Sequence, residues 1–350
     1  MNKRDDCGVE VSAKRLLAGL EREGAPRARR EFPNTPEGHE ALVRWLAASV
    51  SRRVRVVMEA TGLYGLDLAL RLDAAPSVEV MVANPRAVRH FAIALMKRSK
   101  NDPIDTDVLV EFAQRMPFQR WVRPSPAALA LHALARRLES LTEMHAAEKN
   151  RLHAAQLSPA LPAAVVRDLK RSLRSLERAL QRLTRQAVEV MGQDPDLNLR
   201  YQLLLSACGI GPTSAVQILA QLAVLSPDLD VRQWVAQAGL DPRQYSSGSS
   251  VHKKTRISKT GNRHLRRALY MPALVAIRHE PHLRAFYRHL VERGKAKMQA
   301  LVAVMRKLLH AIFGMFKHQQ PFDGAKLYCL PRKITVLQPA FSTAEVLCNP

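Results

Sequence analysis

Ser247 is the side chain in this sequence best suited to act as a nucleophile. It lies beside Ser246 and before Gly248, at the start of a segment, residues 242–279, that holds nine Lys or Arg and no Asp or Glu. A hydroxyl among small residues in a field of positive charge suits attack on a phosphate. A serine hydroxyl needs a base or strong electrostatic help, and the local sequence offers no general base.

The cationic residues that follow Ser247 are candidates for phosphate contacts, because Arg binds phosphate oxygens in pairs. The pattern predicts a loop or short ribbon, a turn at Gly261–Asn262, and then a helix. The candidate contacts are Lys253, Lys254, Arg256, Lys259, Arg263, Arg266 and Arg267. The alternative interpretation is a solvated charged face, but no acid is interspersed to neutralise this one.

Carboxylates suited to a metal ion lie far upstream. Glu59 follows the apolar run 54–58, so it is expected at the end of a strand, where α/β sheets bind ligands. Asp102 is predicted to cap a helix that begins at Pro103, with Asp105 one turn along. Such oxygen ligands can hold a hard divalent cation, and two such ions can assist a phosphoryl displacement. The alternative is that Asp102 and Asp105 only stabilise the helix N-terminus.

A third candidate is the run Cys208–Thr213, in which Gly209 and Gly211 join two apolar helical stretches. It resembles a helix-hairpin-helix motif, whose backbone N–H groups meet a DNA phosphate at a helix N-terminus. Such a contact is independent of base sequence. The alternative is a tight turn between helices with no ligand.

The elements that must position these residues form three predicted parts and a tail. Residues 1–120 alternate β-rich runs, at 7–11, 54–58 and 78–82, with helical patterns, which predicts a mixed sheet covered by helices. Residues 121–195 carry an apolar stripe, from Leu131 to Val190, that is typical of a helical hairpin, a coiled coil, or both. Residues 196–320 are predicted to be helical. For the tail, 321–350, disorder is one interpretation.

Composition indicates a polyanionic partner. The chain has 54 Lys and Arg against 31 Asp and Glu, a formal net charge of +23, which favours nucleic acid. The alternative explanation is a generally basic protein from a high-GC genome, in which Arg is frequent. The four cysteines form no CxxC pair, so neither zinc nor a disulfide framework is expected. With no signal peptide and no long apolar run, we expect a bacterial cytoplasmic, nucleoid-associated protein.

Several motifs together resemble one family, over about residues 7–320. They are Met58-Glu-Ala-Thr-Gly-Leu-Tyr64, Lys100-Asn-Asp-Pro-Ile-Asp105, Cys208-Gly-Ile-Gly-Pro-Thr213, Ala238-Gly-Leu-Asp-Pro242, Ser247-Gly248 and Ile257-Ser-Lys-Thr-Gly-Asn-Arg-His-Leu-Arg-Arg-Ala-Leu269. In this order they resemble the insertion-sequence 110 family of DEDD transposases, which are bridge-RNA-guided recombinases.

The resemblance implies a RuvC-like, ribonuclease-H-like α/β domain, a coiled coil and an all-α transposase domain. It implies that Glu59, Asp102 and Asp105 bind Mg²⁺ (or Mn²⁺). It also implies that Ser247 forms a transient 5′-phosphoserine link, and that Ser247 rather than Ser246 does so because glycine follows it. The implied partners are donor and target DNA, a structured guide RNA, and further copies of the chain, as a dimer and then a tetramer with composite active sites.

Glu10 is a departure from the family pattern, which has Asp on the first strand in Gly-Ile-Asp-Val-Ser where this chain has Gly8-Val-Glu-Val-Ser12. Glu10 keeps the charge but lengthens the arm, and we count it with the catalytic and metal-binding carboxylates. Two other functions stay open. One is a RuvC-like nuclease or resolvase that cuts with metal-activated water. The other is a DNA- or RNA-binding derivative whose catalytic site has decayed.

Overall fold

The structure is a computed structural model that describes residues 5–22, 25–48, 53–60, 62–97, 99, 101–158, 160–247 and 251–330. The chain divides into two compact units, Met1–Pro124 and Ser125–Pro350.

The first unit is built on a five-stranded mixed sheet. In chain order the strands are β1 (Asp5–Val11), β2 (Arg15–Glu21), β3 (Ala28–Pro33), β4 (Val54–Glu59) and β5 (Val78–Ala83). Their spatial order is β3-β2-β1-β4-β5. β2 is antiparallel to β1 and β3, whereas β4 is parallel to β1 and β5. The three strands predicted from apolar runs are therefore confirmed, and β2 and β3 are additional.

Helices cover both faces of this sheet. They are α1 (Pro36–Ala47), α2 (Leu66–Asp73), α3 (Pro85–Ala94) and α4 (Asp102–Arg115), with a 3-10 turn at Gly62–Gly65. One buried cluster joins α1 and α2 to the face carrying Val9 and Met58. A second cluster joins α3 and α4 to the opposite face, which carries Val57. The first unit is thus a three-layer α/β structure, as predicted.

The second unit is mostly helical. Its helices are α5 (Pro126–Gln156), α6 (Ala163–Gln193), α7 (Pro195–Ser206), α8 (Pro212–Leu222), α9 (Val231–Gln237), α10 (Arg263–His279), α11 (Pro281–Glu292) and α12 (Lys297–His318). A two-stranded antiparallel ribbon lies between α9 and α10, formed by β6 (Pro242–Ser247) and β7 (Val251–Ile257). The expectation of an all-α domain is therefore wrong at this ribbon.

Helices α5 and α6 pack as a long hairpin along the predicted apolar stripe. Leu131, Leu138 and Leu141 of α5 are buried, as are Leu173 and Ala187 of α6. Ser125 caps α5 through a hydrogen bond to its Oγ from the Ala128 N–H, at 3.1 Å. The helical hairpin is observed, whereas the coiled coil remains a prediction.

Helix α12 is the central helix of the second unit. Within the described part of the chain, α12 is the one helix that is long and apolar enough to cross a membrane. Half of its most apolar stretch is buried inside the protein. Leu301, Val304, Leu308 and Ile312 lie in the core of this unit. Its apolar character is accounted for by that burial.

Candidate functional site

The carboxyl ends of β1 and β4 place two candidate ligands side by side. The parallel register pairs Gly8 with Val57 and Val9 with Met58, so Glu10 and Glu59 are the next neighbours in the same register. Side chains alternate along a strand. Glu10 and Glu59 therefore leave the sheet on the same face as Gly8 and Val57, the face that α4 covers.

Helix α4 brings the other two carboxylates to this edge. It lies so close to β1 that a Cβ at Gly8 would be 2.5 Å from the Thr106 carbonyl oxygen. The first turn of α4, with Asp102 and Asp105, precedes Thr106 and reaches the end of β1, where Arg15 Nη2 bonds Asp102 Oδ2 at 2.7 Å. The predicted cap is displaced by one residue. Asn101 caps the helix by accepting from the Ile104 N–H, and Asp102 is the first helical residue.

The four carboxylates thus lie on one face of the sheet, at the carboxyl ends of β1 and β4. Their hard oxygen donors are of the type that binds a divalent cation such as Mg²⁺. Within the described residues, no three His, Cys, Asp or Glu side chains converge closely enough to hold a metal ion. Asp102 is instead engaged by Arg15, in an ion pair with both side chains about half exposed. A cation at this edge would require the carboxylates to turn toward one another and Asp102 to exchange partners.

The ribbon β6–β7 carries the candidate nucleophile at its far end. Ser247 is the last residue of β6 and pairs in register with Val251, while Ser246 pairs with His252 and is exposed. Gly248 lies outside the described residues, as do the side chains of Ser247, Lys253 and Lys254. At the near end of the ribbon, Pro242, Arg256 and Ile257 line a groove.

That groove, of about 940 Å³, gathers the cationic segment of the sequence. Its floor is apolar and includes Met271, Met298 and Val302, which belong to α10 and α12. The cationic side chains that line it are Arg256, Lys259, Arg263, Arg266, Arg267 and Lys295. Five of these six were candidate phosphate contacts. The sixth, Lys295, was not identified from the sequence because it lies beyond α11.

Acids from α5 neutralise part of this charge. Glu139 Oε2 lies 2.6 Å from His264 Nδ1 and also pairs with Arg136, and Arg267 contacts both Glu139 and Glu143. Burial lowers the pKa of His264, and the positive charge of Arg136 lowers that pKa further. The carboxylate of Glu139 acts in the opposite direction and raises it. Arg266 donates to the Ala238 carbonyl at 2.8 Å. Arg256 and Lys259, by contrast, are exposed at the mouth of the groove.

The two candidate glycines of the α7–α8 turn have different surroundings. Gly209 has a φ of +93°, and a Cβ there would meet the Pro272 carbonyl oxygen at 2.5 Å, so packing against α10 requires glycine. An added Cβ at Gly211 would meet nothing within 4 Å, and Gly211 precedes the exposed N-terminus of α8. Thr213 and Ser214, in the first turn of α8, line the groove. The N-terminus of α8, where the sequence predicts a phosphate contact, therefore borders the same groove.

Several polar side chains at both sites have no recognisable signal in the sequence. Asn34 and His39 form a hydrogen-bonded pair at the carboxylate edge of the sheet, and Glu139 pairs with His264 at the groove. The first pair joins a loop to the helix that follows it, and the second pair joins α5 to α10. Nothing in a single sequence identifies such partners.

The α/β unit with carboxylates at one sheet edge and the helical unit with a basic groove match the two domains of a class of DNA transposases. A DEDD transposase model matches residues 7–162, and the model described as the transposase IS116/IS110/IS902 family matches residues 201–288. The chain belongs to this family of insertion-sequence transposases, whose first domain has a RuvC-like fold. As the family resemblance implied, the chain is a DNA-transposing enzyme.

Relatives cover most of the chain. The pilin gene-inverting proteins of Moraxella lacunata and Moraxella bovis are each 28% identical over 295 residues, which cover 83% of this chain and 89% of theirs. The transposase for insertion sequence element IS1328 of Yersinia enterocolitica is 31% identical over 222 residues, 56% of this chain and 64% of its own.

Proposed function

We propose that this transposase cuts and rejoins DNA through Ser247, with a divalent cation held by Glu10, Glu59, Asp102 and Asp105. The observation that carries the proposal is the ribbon β6–β7, which has Ser247 at one end and the cation-lined groove at the other. A DNA strand held on the groove by its phosphates could extend along the ribbon toward the serine.

In the proposed step, Ser247 Oγ attacks a phosphorus of the DNA backbone. The Oγ–P bond forms as the P–O3′ bond breaks, and the serine proton passes to the departing 3′ oxygen. The products are a 5′-phosphoserine and a 3′-hydroxyl. Attack by the 3′-hydroxyl of another strand reverses the step, so strands are exchanged without net hydrolysis. The cation would stabilise the charge that develops on the phosphoryl oxygens.

The carboxylates and Ser247 belong to different units of the chain, Met1–Pro124 and Ser125–Pro350. We therefore propose that the active site is composite, assembled when a dimer or tetramer forms on donor and target DNA. We also propose that a structured RNA encoded by the element selects the sequences. The groove offers phosphate contacts that suit DNA and RNA alike, so base pairing rather than the protein would supply specificity.

A covalent intermediate is the decisive test. A labelled DNA carrying the element ends, with RNA transcribed from the element's flanking non-coding stretch and Mg²⁺, is incubated with protein and analysed on a denaturing gel. The wild type and Ser246→Ala should form a protein–DNA adduct and recombinant product, whereas Ser247→Ala should form neither. Glu59→Gln should also abolish both.

Other outcomes identify the other functions. Cleavage that persists in Ser247→Ala, with no adduct in any variant, would indicate a metal-dependent nuclease and refute the serine mechanism. Binding without cleavage by the wild type, with recombination appearing only in Glu10→Asp, would indicate that the site of this copy has decayed.

A further inference from the structure

Asn34 connects the two loops that follow the carboxylate-bearing strands. It lies between β3 and α1, and its side-chain Nδ2 donates to the Ser12 carbonyl at 2.8 Å and to the Tyr64 carbonyl at 3.1 Å. Ser12 is two residues after Glu10, and Tyr64 is five residues after Glu59. One amide group therefore connects the loop after β1 to the loop after β4.

His39 fixes the direction in which this amide points. Its Nε2 lies 2.7 Å from Asn34 Oδ1. Because both Nδ2 hydrogens are directed at carbonyl oxygens, Oδ1 must accept, and His39 Nε2 must carry the donated proton. His39 is only 5% exposed, and burial lowers the pKa of its imidazole. A neutral ring protonated on Nε2 therefore orients the amide.

The backbone of Asn34 adds a third connection to the same loop. Its N–H donates to the Lys14 carbonyl at 3.0 Å, and the β1–β2 turn is itself closed by a bond from the Ser12 N–H to the Arg15 carbonyl. Arg15 in turn bonds Asp102. The Asn34 connection thus reaches the segment that follows Glu10 and leads to the partner of Asp102.

We propose that Asn34, oriented by His39, is a positioning residue that holds the ends of β1 and β4 in the relation needed for Glu10 and Glu59 to share one cation. The inference rests on the proposed function of those carboxylates. Groups that orient metal ligands typically change metal affinity by about 10–100-fold when they are removed. Asn34 acts one step further out, through backbone, so the lower end of that range, about tenfold, is expected.

The test compares Asn34→Ala with Thr35→Ala in the full chain. Thr35 is the neighbouring residue, and its Oγ1 accepts from the Gly38 N–H to cap α1, with no bond to the described residues of either loop. Both changes remove hydrogen bonds from one short segment. Thr35→Ala is expected to cost about 1 kcal/mol of stability, and Asn34→Ala about 2 kcal/mol, because it also leaves the buried His39 N–H without its acceptor. Only Asn34→Ala should lower the Mn²⁺ affinity measured by titration calorimetry, with Glu59→Gln as the reference for loss of the site.

Two further variants separate orientation from stability. Asn34→Asp keeps the shape and the acceptor but loses both donors. Its added negative charge would by itself strengthen cation binding, so weaker binding would have to come from the lost bonds. His39→Gln retains an N–H donor and should keep the affinity, whereas His39→Ala should not.

Hydrogen exchange at residues 12–14 and 62–65 gives a readout that needs no metal. Asn34→Ala should raise exchange in both segments at once, and Thr35→Ala in neither. Equal effects of the two variants on exchange would overturn the proposal. If exchange rises as expected but wild type and Glu59→Gln bind Mn²⁺ equally, the proposed cation site is wrong while the connection between the loops stands. Equal Mn²⁺ affinity in Asn34→Ala and Thr35→Ala, with a working site in the wild type, would also overturn the positioning role.

Discussion

Replacing Gly8 with alanine tests how closely helix α4 must lie on strand β1. An added Cβ would be 2.5 Å from the Thr106 carbonyl oxygen, 2.6 Å from Leu109 Cβ and 2.8 Å from the Val110 nitrogen. Packed heavy atoms lie about 3.5–4.0 Å apart. Two of the three neighbours are backbone atoms that cannot rotate away, so α4 would have to move by roughly 1 Å.

We expect Gly8→Ala to lower the free energy of unfolding of the first unit by about 2 kcal/mol, within the range measured for overpacked cores. The chain has three tryptophans, of which Trp45 and Trp121 lie in the first unit and Trp234 in the second. In a Trp234→Phe background, tryptophan fluorescence during urea denaturation reports the first unit. The Mn²⁺ affinity should fall in the same variant, because Asp102 and Asp105 move with α4.

The matched control is Gly314→Ala, in the interior of α12, where an added Cβ meets nothing within 4 Å. Alanine favours a helix over glycine by about 0.8–1.0 kcal/mol, so this variant should be more stable. It is followed through Trp234 in a chain that retains Trp234 and has Phe in place of Trp45 and Trp121. A Gly8→Ala protein within about 0.5 kcal/mol of its parent, the ordinary effect of a surface change, would refute the close packing of α4 on β1. The placement of Asp102 and Asp105 beside Glu10 would then be wrong as well.

Two further predictions concern charge. Alanine at Arg256 or Lys259 should reduce by about one the slope of log affinity against log salt for a DNA or RNA probe, measured by fluorescence anisotropy, whereas an exposed arginine of α6 should have no such effect. In the first unit, hydrogen bonds from Gln114 and Arg27 lower the pKa of Glu21. The unfolded chain therefore takes up this proton at higher pH than the folded one, so the stabilisation is complete above about pH 4.5 and is lost as the pH falls. Glu21→Gln should flatten the pH dependence of urea unfolding below that pH.

Apolar runs were sufficient to predict β1, β4 and β5 but not β2 and β3. β4 and β5 are buried along most of their length, so burial leaves a continuous apolar pattern. β3 is an edge strand in which Phe32 is the buried residue and the arginines before it are exposed. Its pairing with β2 depends on backbone hydrogen bonds, which leave little trace in the side chains.

The ribbon β6–β7 was predicted only as one of two alternatives, a loop or a short ribbon, for a related reason. Its described side chains in β6 are all exposed, so no buried face imposes an alternating pattern. The contribution of Lys295 to the groove at the base of the ribbon was missed for a different reason. Lys295 reaches the groove from the α11–α12 connection, where Gly294 has a φ of +77°. Only the fold brings a residue from that connection to the charges of α10.

The N-terminus of α4 shows that local sequence can allow two different capping residues. Asn101 and Asp102 both have side chains that can accept from a helix N-terminus, and a proline can occupy either the first or the second helical position. The structure uses Asn101 for the cap. Asp102 is thereby released from capping and its carboxylate bonds Arg15 instead, which is the contact that any cation at this edge must compete with.

The parallel register of β1 and β4 explains how Glu10 could serve in place of the family's aspartate. Glu10 and Glu59 occupy adjacent positions on parallel strands, about 4.8 Å apart, and their side chains leave the same face with equal length. An Asp at position 10 would hold its carboxylate roughly 1.5 Å nearer the strand. Two glutamates would instead meet a cation farther from the sheet. The substitution therefore shifts where a cation can bind and leaves the charge unchanged, so Glu10→Asp should alter metal affinity even if both forms support recombination.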